Sequence, residues 1–162
     1  MHGLHLEIET RAYIQSETAF GQAKMKGFLE MMIDLIRGCG YRLLSFYEMV
    51  DKMSLTPSID QGLQDVPLKN IIGSAGRYQN FTRHFFPRSG DQSSKERWRT
   101  IYTLTVTGKG FPPIEVYKID QVYFVKDGHH RLSVAADLGW STIQAYVTEL
   151  PGTLALKPGC NG

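Results

Sequence analysis

The stretch Val122-Tyr123-Phe124-Val125-Lys126-Asp127-Gly128-His129-His130-Arg131-Leu132-Ser133-Val134-Ala135-Ala136 constrains this chain more than any other. A β-rich apolar run stops at Asp127-Gly128, a turn signal. The apolar residues beyond it, Leu132, Val134, Ala135 and Leu138, fall mostly at helical spacing. The segment reads as strand, tight turn, helix. Gly139 closes the helix, and residues 142–149 alternate as a last strand.

The first amides of a helix lack intrahelical partners, and the helix dipole favours an anion there. Gly128 lets a ligand approach the backbone, and Arg131 in the first turn can fork two hydrogen bonds onto a phosphate. Asp127 can cap the helix, hold a metal such as Mg²⁺, or take a proton. The simpler alternative is a plain turn and cap, with His129, His130 and Arg131 solvated.

At 162 residues, 42% hydrophobic and 21% charged, the chain fits one globular domain that needs no metal or disulfide staple. Cys39 and Cys160 form no framework, and Cys39 has no zinc spacing, so both are expected as reduced thiols in a cytoplasmic protein. No apolar run approaches the length of a membrane span, and no secretory leader is expected.

Charge is uneven. Residues 71–110 carry seven Lys or Arg against two acidic residues, a net of +5, which leaves −3 for the rest of a chain whose formal charge is +2. A local basic segment suits an anionic partner, or simply forms a solvated face.

Upstream, residues 1–10 show no firm pattern, whereas 11–37 repeat apolar residues at three- and four-residue steps up to Gly38-Cys39-Gly40, which predicts a long helix. Its methionines are expected as core filler. Ser45-Phe46-Tyr47-Glu48 has capping-box spacing, so a second helix is expected to run to Met53, making an N-terminal helical hairpin. Residues 55–65 read as a loop and internal boundary, followed by a short strand over 66–72. Domain organisation is thus expected as 1–64 hairpin and loop packed on the main domain, 65–150 main domain, and 151–162 loose tail.

Gly73-Ser74-Ala75-Gly76-Arg77 can form a second anion-binding loop through Gly76 and Arg77, or a flexible turn. Residues 78–87 interleave aromatic and basic side chains as single-strand nucleic-acid binders do, yet Phe81 and Phe85 are four apart, as in a helix packed on a core. Core is the preferred reading. Ser93-Ser94-Lys95-Glu96 is another capping box, opening a helix to Gly108, and 114–119 with 122–125 reads as a β-hairpin feeding the turn.

This order of strand, helix, Pro113-Ile114-Glu115-Val116, hairpin, D-G-x-H-R turn, Ala-rich helix and closing strand resembles the ParB/sulfiredoxin superfamily over residues 65–150. The resemblance implies an α+β fold, a small mixed sheet with helices, here preceded by the helical hairpin. It implies a nucleotide or phosphate site at the turn, with ATP, ADP or CTP and Mg²⁺ as the cofactor. In ParB-type partition proteins the G-x-x-R turn binds CTP phosphates, which carries onto Gly128 and Arg131, with His129 and His130 where those proteins often have Glu and Arg. Sulfiredoxins carry their working cysteine where this chain has His129, so their chemistry is not expected. Free-serine kinases and ParB-like nucleases include an Asp-Gly-x-His-Arg version, matched by Asp127, Gly128, His130 and Arg131.

The pattern is incomplete. No helix-turn-helix segment or second partition box follows the turn, and 66–77 lacks the glutamate base of the kinases; Glu96 and Glu115 are the candidate substitutes.

Two function classes follow. In one, Gly128, His129, Arg131, Gly76 and Arg77 grip the phosphates of a nucleotide or phosphorylated small molecule. Asp127 then serves as base or Mg²⁺ ligand and His130 contacts the transferring group, as a phosphotransferase or NTPase would require. In the other, the domain binds DNA or RNA through Arg77, Arg83 and Arg97. A metal-assisted nuclease using Asp127, His129 and His130 is a third variant, disfavoured because successive helical residues diverge by about 100°.

Overall fold

The computed structural model describes residues 2–40, 42–50, 57–77, 79–88 and 91–154. The sheet grows outward from the β-hairpin that feeds the turn. Strands β4 (Ile114–Ile119) and β5 (Val122–Asp127) pair antiparallel as expected. Asp120 between them takes a positive φ of 54°, the left-handed conformation that short polar side chains tolerate in tight turns. Helix α4 (His129–Asp137) packs back on the sheet and leads to β6 (Thr142–Glu149), which lies parallel to β4.

The remaining strands flank this centre. β2 (Ile59–Pro67) pairs antiparallel with β6 at one edge; β3 (Ile71–Ser74) lies parallel to β5, and β1 (Leu44–Ser45) parallel to β3 at the other. The order is β1-β3-β5-β4-β6-β2, a mixed sheet. Helices α1 (His2–Arg37), α2 (Phe46–Val50) and α3 (Gln92–Val106) complete a mixed α/β fold of the expected class.

Three apolar clusters hold the layers. Leu132 and Ala135 of α4 join Val66, Ile114, Val116, Val125 and Val147 on one sheet face. Phe46 and Val50 of α2 cover Ile119 and Phe124 on the other. Trp98 of α3 is fully buried between Phe20 of α1 and Val134 of α4. Phe124 packs so closely under β3 that a Cβ on Gly73 would lie 2.5 Å from both its ring and the Leu44 carbonyl oxygen. Only glycine fits at that crossing.

Several expectations are corrected. Helix α1 begins at His2, not near residue 11; Leu4, Leu6 and Ile8 of its first turns stay exposed, so no buried face of the fold sets their spacing. The 55–65 loop is largely strand: β2 starts at Ile59, and its outer half exposes both faces, so polar residues and Gly62 hide its period. The boundary drawn between residues 64 and 65 falls inside β2, and residues 51–56 lie outside the described set. Helix α2 is described over Phe46–Val50, its expected continuation to Met53 lies outside the described residues, and the segment before it enters the sheet as β1.

Phe81 and Phe85 are buried as preferred, but from an irregular loop in which Phe85 has φ 66°, not from a helix. Asp91, not Ser93, caps α3, accepting from the Ser94 amide at 2.6 Å. Met25 and Met32 are exposed rather than core filler. Cys39 is disulfide-bonded rather than a reduced thiol; spacing rules detect metal sets and cysteine frameworks, not a single bond. Cys160 and the rest of 155–162 lie outside the described residues. No helix among the described residues is long and apolar enough to cross a membrane.

Candidate functional site

Parallel pairing of β3 with β5 sets the carboxyl ends of two neighbouring strands side by side, the position where open α/β sheets receive ligands. The loop after β3 is Ala75-Gly76-Arg77, and the turn after β5 is Gly128 leading into α4. The two phosphate-loop candidates, 51 or more residues apart in sequence, therefore lie side by side.

Gly128 occupies the N-cap of α4 at φ 102°, with no side-chain cap bond. A Cβ there would stand 2.5 Å from Ile114 Cγ2, so both conformation and space require glycine. The amides of the first turn of α4 have no intrahelical partner, and the His129 ring beside them lies 3.9 Å from where a Cβ on Gly76 would stand. Asp127 does not cap. Its Oδ2 accepts from Arg131 NH2 at 2.5 Å, one helical turn on.

Arg131 is largely committed to the protein. Its other terminal nitrogen donates to the carbonyl oxygens of Pro113 at 2.7 Å and Pro112 at 3.1 Å. The guanidinium thus clamps the entry of β4 to the start of α4, and is a positioning group in this conformation.

His129 and His130 are buried, contrary to the picture of solvated first-turn residues. His129 Nε2 lies 2.6 Å from Ser74 Oγ, which also accepts from the Gly76 amide at 3.0 Å. That bond ties the β3 loop to α4. Phe81 stacks on the His129 ring at 6.2 Å and meets His130 edge-on at 5.5 Å. His130 lines a small slot with Phe20, Asn80, Phe81, Ser94 and Trp98, and the Trp98 indole donates to Ser133 Oγ at 3.0 Å.

Burial pushes both imidazoles down to about 4, with the Arg77 charge adding to each and Arg97 adding to His130. Both rings are therefore neutral at pH 7. Asp127 opposes the shift at His129, and Asp91 opposes it at His130. Asp91 is itself held low first by the Ser94 amide it caps, with Arg77 contributing.

Arg77 and Arg97 are exposed, and no ion pair holds either among the described residues. The other predicted nucleic-acid residue, Arg83, turns away to α1, where its Nε lies 3.1 Å from Asp34 Oδ2 and 3.7 Å from Glu30 Oε1. Lys95 and Arg99 pair with Glu17, and Lys109 with Glu9. The basic segment of 71–110 is thus divided between internal pairs and the site.

Of the candidate substitute bases, Glu115 is the cross-strand partner of Asp127, but its carboxylate pairs with Lys126 at 2.8 Å. Glu96 accepts from Tyr13 at 2.5 Å and from Gln92 at 2.8 Å. Among the described residues no group of three or more His, Cys, Asp or Glu is arranged to hold a metal ion. Ser74, Asn80 and Trp98 were not singled out as site residues from sequence. Nothing local marks them, because each reaches the site only through the sheet order or the packing of α3.

No family model matches the chain, and no curated protein matches it. Among solved structures, sulfiredoxin from Arabidopsis thaliana is similar over 55% of this chain and 86% of that one, with a TM-score of 0.39 and 22% identity. A likeness at that level leaves function to be argued from the side chains.

Proposed function

We propose that the loop 75–77 and the first turn of α4 bind the phosphate group of a nucleotide or other phosphorylated small molecule. The observation that supports this is the pair of exposed guanidinium groups, Arg77 and Arg97, held in no ion pair among the described residues, with Arg77 acting on both buried histidines at a helix N-terminus and Arg97 on His130. Their charge adds to that of Arg131 against Asp127 and Asp91, and free amides supply directional donors. Arg77 and Arg97 are the charged ligands of the phosphate in this reading, and Gly76 and Gly128 give the backbone access. Arg131 holds Asp127 and the Pro112–Pro113 carbonyls, shaping the turn.

The catalytic roles of Asp127 and His130 belong to the same proposal. Asp127 is two-thirds exposed but ion-paired, so acting as a base requires it to leave Arg131. Neutral His130 can donate or accept a proton bond at a phosphoryl oxygen. Among the described residues no three His, Cys, Asp or Glu form a Mg²⁺ cage, and in this reading a Mg²⁺ would arrive coordinated by the ligand's own phosphates. The nucleic-acid reading retains Arg77 and Arg97 but loses Arg83 to Asp34 and Glu30.

The test is calorimetric titration with ATP, ADP, CTP and GTP, with and without Mg²⁺, on wild type, Arg77→Ala and Arg97→Ala. Saturable binding is expected, weakened about tenfold by either substitution with thermal unfolding unchanged, as befits one lost charged hydrogen bond. Absence of binding to all four nucleotides overturns the nucleotide assignment. Steeply salt-dependent binding to oligonucleotides alone moves the site to nucleic acid.

A further inference from the structure

Helix α1 presents two apolar faces, and the fold uses one. Ala12, Ala19, Phe20 and Ala23 pack inward, with Phe20 meeting Trp98 of α3 edge-on at 5.5 Å. On the other side Met25, Phe28, Leu29, Met32, Leu35 and Ile36 are 42 to 82% exposed. Leu4, Ile8 and Ile14 extend this surface toward the N-terminus.

A large side chain offers about 200 Å², so nine of them half exposed present roughly 900 Å². That exceeds the few hundred Å² of an ordinary monomer patch and matches the roughly 800 Å² each partner contributes to a stable interface.

The spacing indicates what covers it. Positions 4, 8, 11, 15, 18, 22, 25, 29, 32 and 36 alternate steps of four and three residues, the seam of a heptad helix. Run antiparallel against a second copy, the same set closes on itself: Leu4 meets Ile36, Ile8 meets Met32, and Thr18 meets Gln22 at the centre. Ile14 and Phe28, both exposed, then flank one another across the seam. Leu4–Ile36 and Ile8–Met32 are apolar layers at the two ends of the pair, Arg11–Leu29 and Gln15–Met25 are mixed, and Thr18–Gln22 is polar at the centre, a pattern that specifies register.

We propose that α1 is a dimerisation helix, pairing antiparallel with α1 of a second copy of this chain across a two-fold axis midway between positions 18 and 22. The pair is isologous, so each exposed end buries against the opposite end of its partner. The proposed phosphate ligands lie beyond the carboxyl ends of β3 and β5 and on α3, and α1 reaches that region through Phe20 on its inward face.

Sedimentation velocity of the full chain over a range of about 1 to 100 μM tests the proposal, because interfaces of this size associate in or below that range. A dimer is expected, and the double substitution Leu29→Glu, Met32→Glu is expected to yield a monomer with an unchanged circular dichroism spectrum. For orientation, Leu4→Glu and Ile36→Lys should each weaken the dimer about tenfold, and together restore it, since antiparallel pairing sets the two new charges against each other. A wild-type monomer throughout overturns the proposal, as does a dimer untouched by Leu29→Glu, Met32→Glu. Failure of the charge pair to restore association overturns the antiparallel register. A monomer that binds phosphatidylserine vesicles through these residues assigns the face to a lipid surface instead.

Discussion

Ser74 Oγ and His129 Nε2 are 2.6 Å apart in the buried interior, joining the end of β3 to the start of α4 across 55 residues of chain. Either tautomer of a neutral imidazole can make this bond, and burial favours the neutral form. The bond therefore joins the two halves of the candidate site with His129 in the uncharged form that its burial favours. Arg77, adjoining the Ser74 loop, reinforces that state through its own charge.

Acid should loosen the protein in a defined window. His129 and His130 are both pushed down to about 4 from 6.5, so between those values the unfolded chain binds protons that the folded one refuses. Their contribution is complete above about pH 6.5 and is lost as pH falls toward 4. The loss amounts to at most about 3 kcal/mol per histidine. Urea midpoints measured from pH 7 to pH 4 should fall across this range, and His129→Gln should flatten the slope. A midpoint unchanged between pH 7 and pH 5 contradicts the burial of the two rings.

Gly128→Ala should be among the most damaging small substitutions in the chain. The residue sits at φ 102°, and its Cβ would overlap Ile114 at 2.5 Å, so conformational strain and overpacking act together. A loss of about 3 kcal/mol is expected from denaturant unfolding. A loss under about 0.5 kcal/mol would mean that the turn relaxes freely, leaving the first amides of α4 unpositioned.

Arg131→Ala separates a positioning group from a phosphate ligand. The side chain is mostly buried and holds Asp127, Pro112 and Pro113, so its loss should lower stability by about 2 kcal/mol. Arg131→Lys should recover little, because an ammonium cannot reproduce the fork. With nucleotide titrations in parallel, Arg77→Ala should weaken binding at constant stability, whereas Arg131→Ala should lower stability first. The reverse pattern would make Arg131 the phosphate ligand.

Much of the site's skeleton was legible in local sequence. Val122 to Asp127, Gly128 and the Leu132, Val134, Ala135 spacing mark strand, turn and helix because each obeys a short-range rule of period or φ. The β4–β5 hairpin and β6 were legible for the same reason. β2 was not, since Ile59 to Asp65 form an exposed edge where burial imposes no alternation. The Phe81 and Phe85 spacing suggested a helix although the chain there loops, because burial can be reached from either conformation.

The sequence by itself determined that a glycine turn followed by two histidines and an arginine opens a helix, since backbone freedom and side-chain period are properties of neighbouring residues. It also carried the apolar seam of α1. Tertiary structure alone decided what those residues do. Parallel pairing of β3 with β5 brought Ser74, Gly76 and Arg77 to the turn, packing of α3 delivered Arg97 and Trp98, and burial made the histidines neutral. It turned Arg131 inward and left Met25 and Met32 outward. Charge state and exposure depend on residues distant in the chain, and no local pattern encodes them.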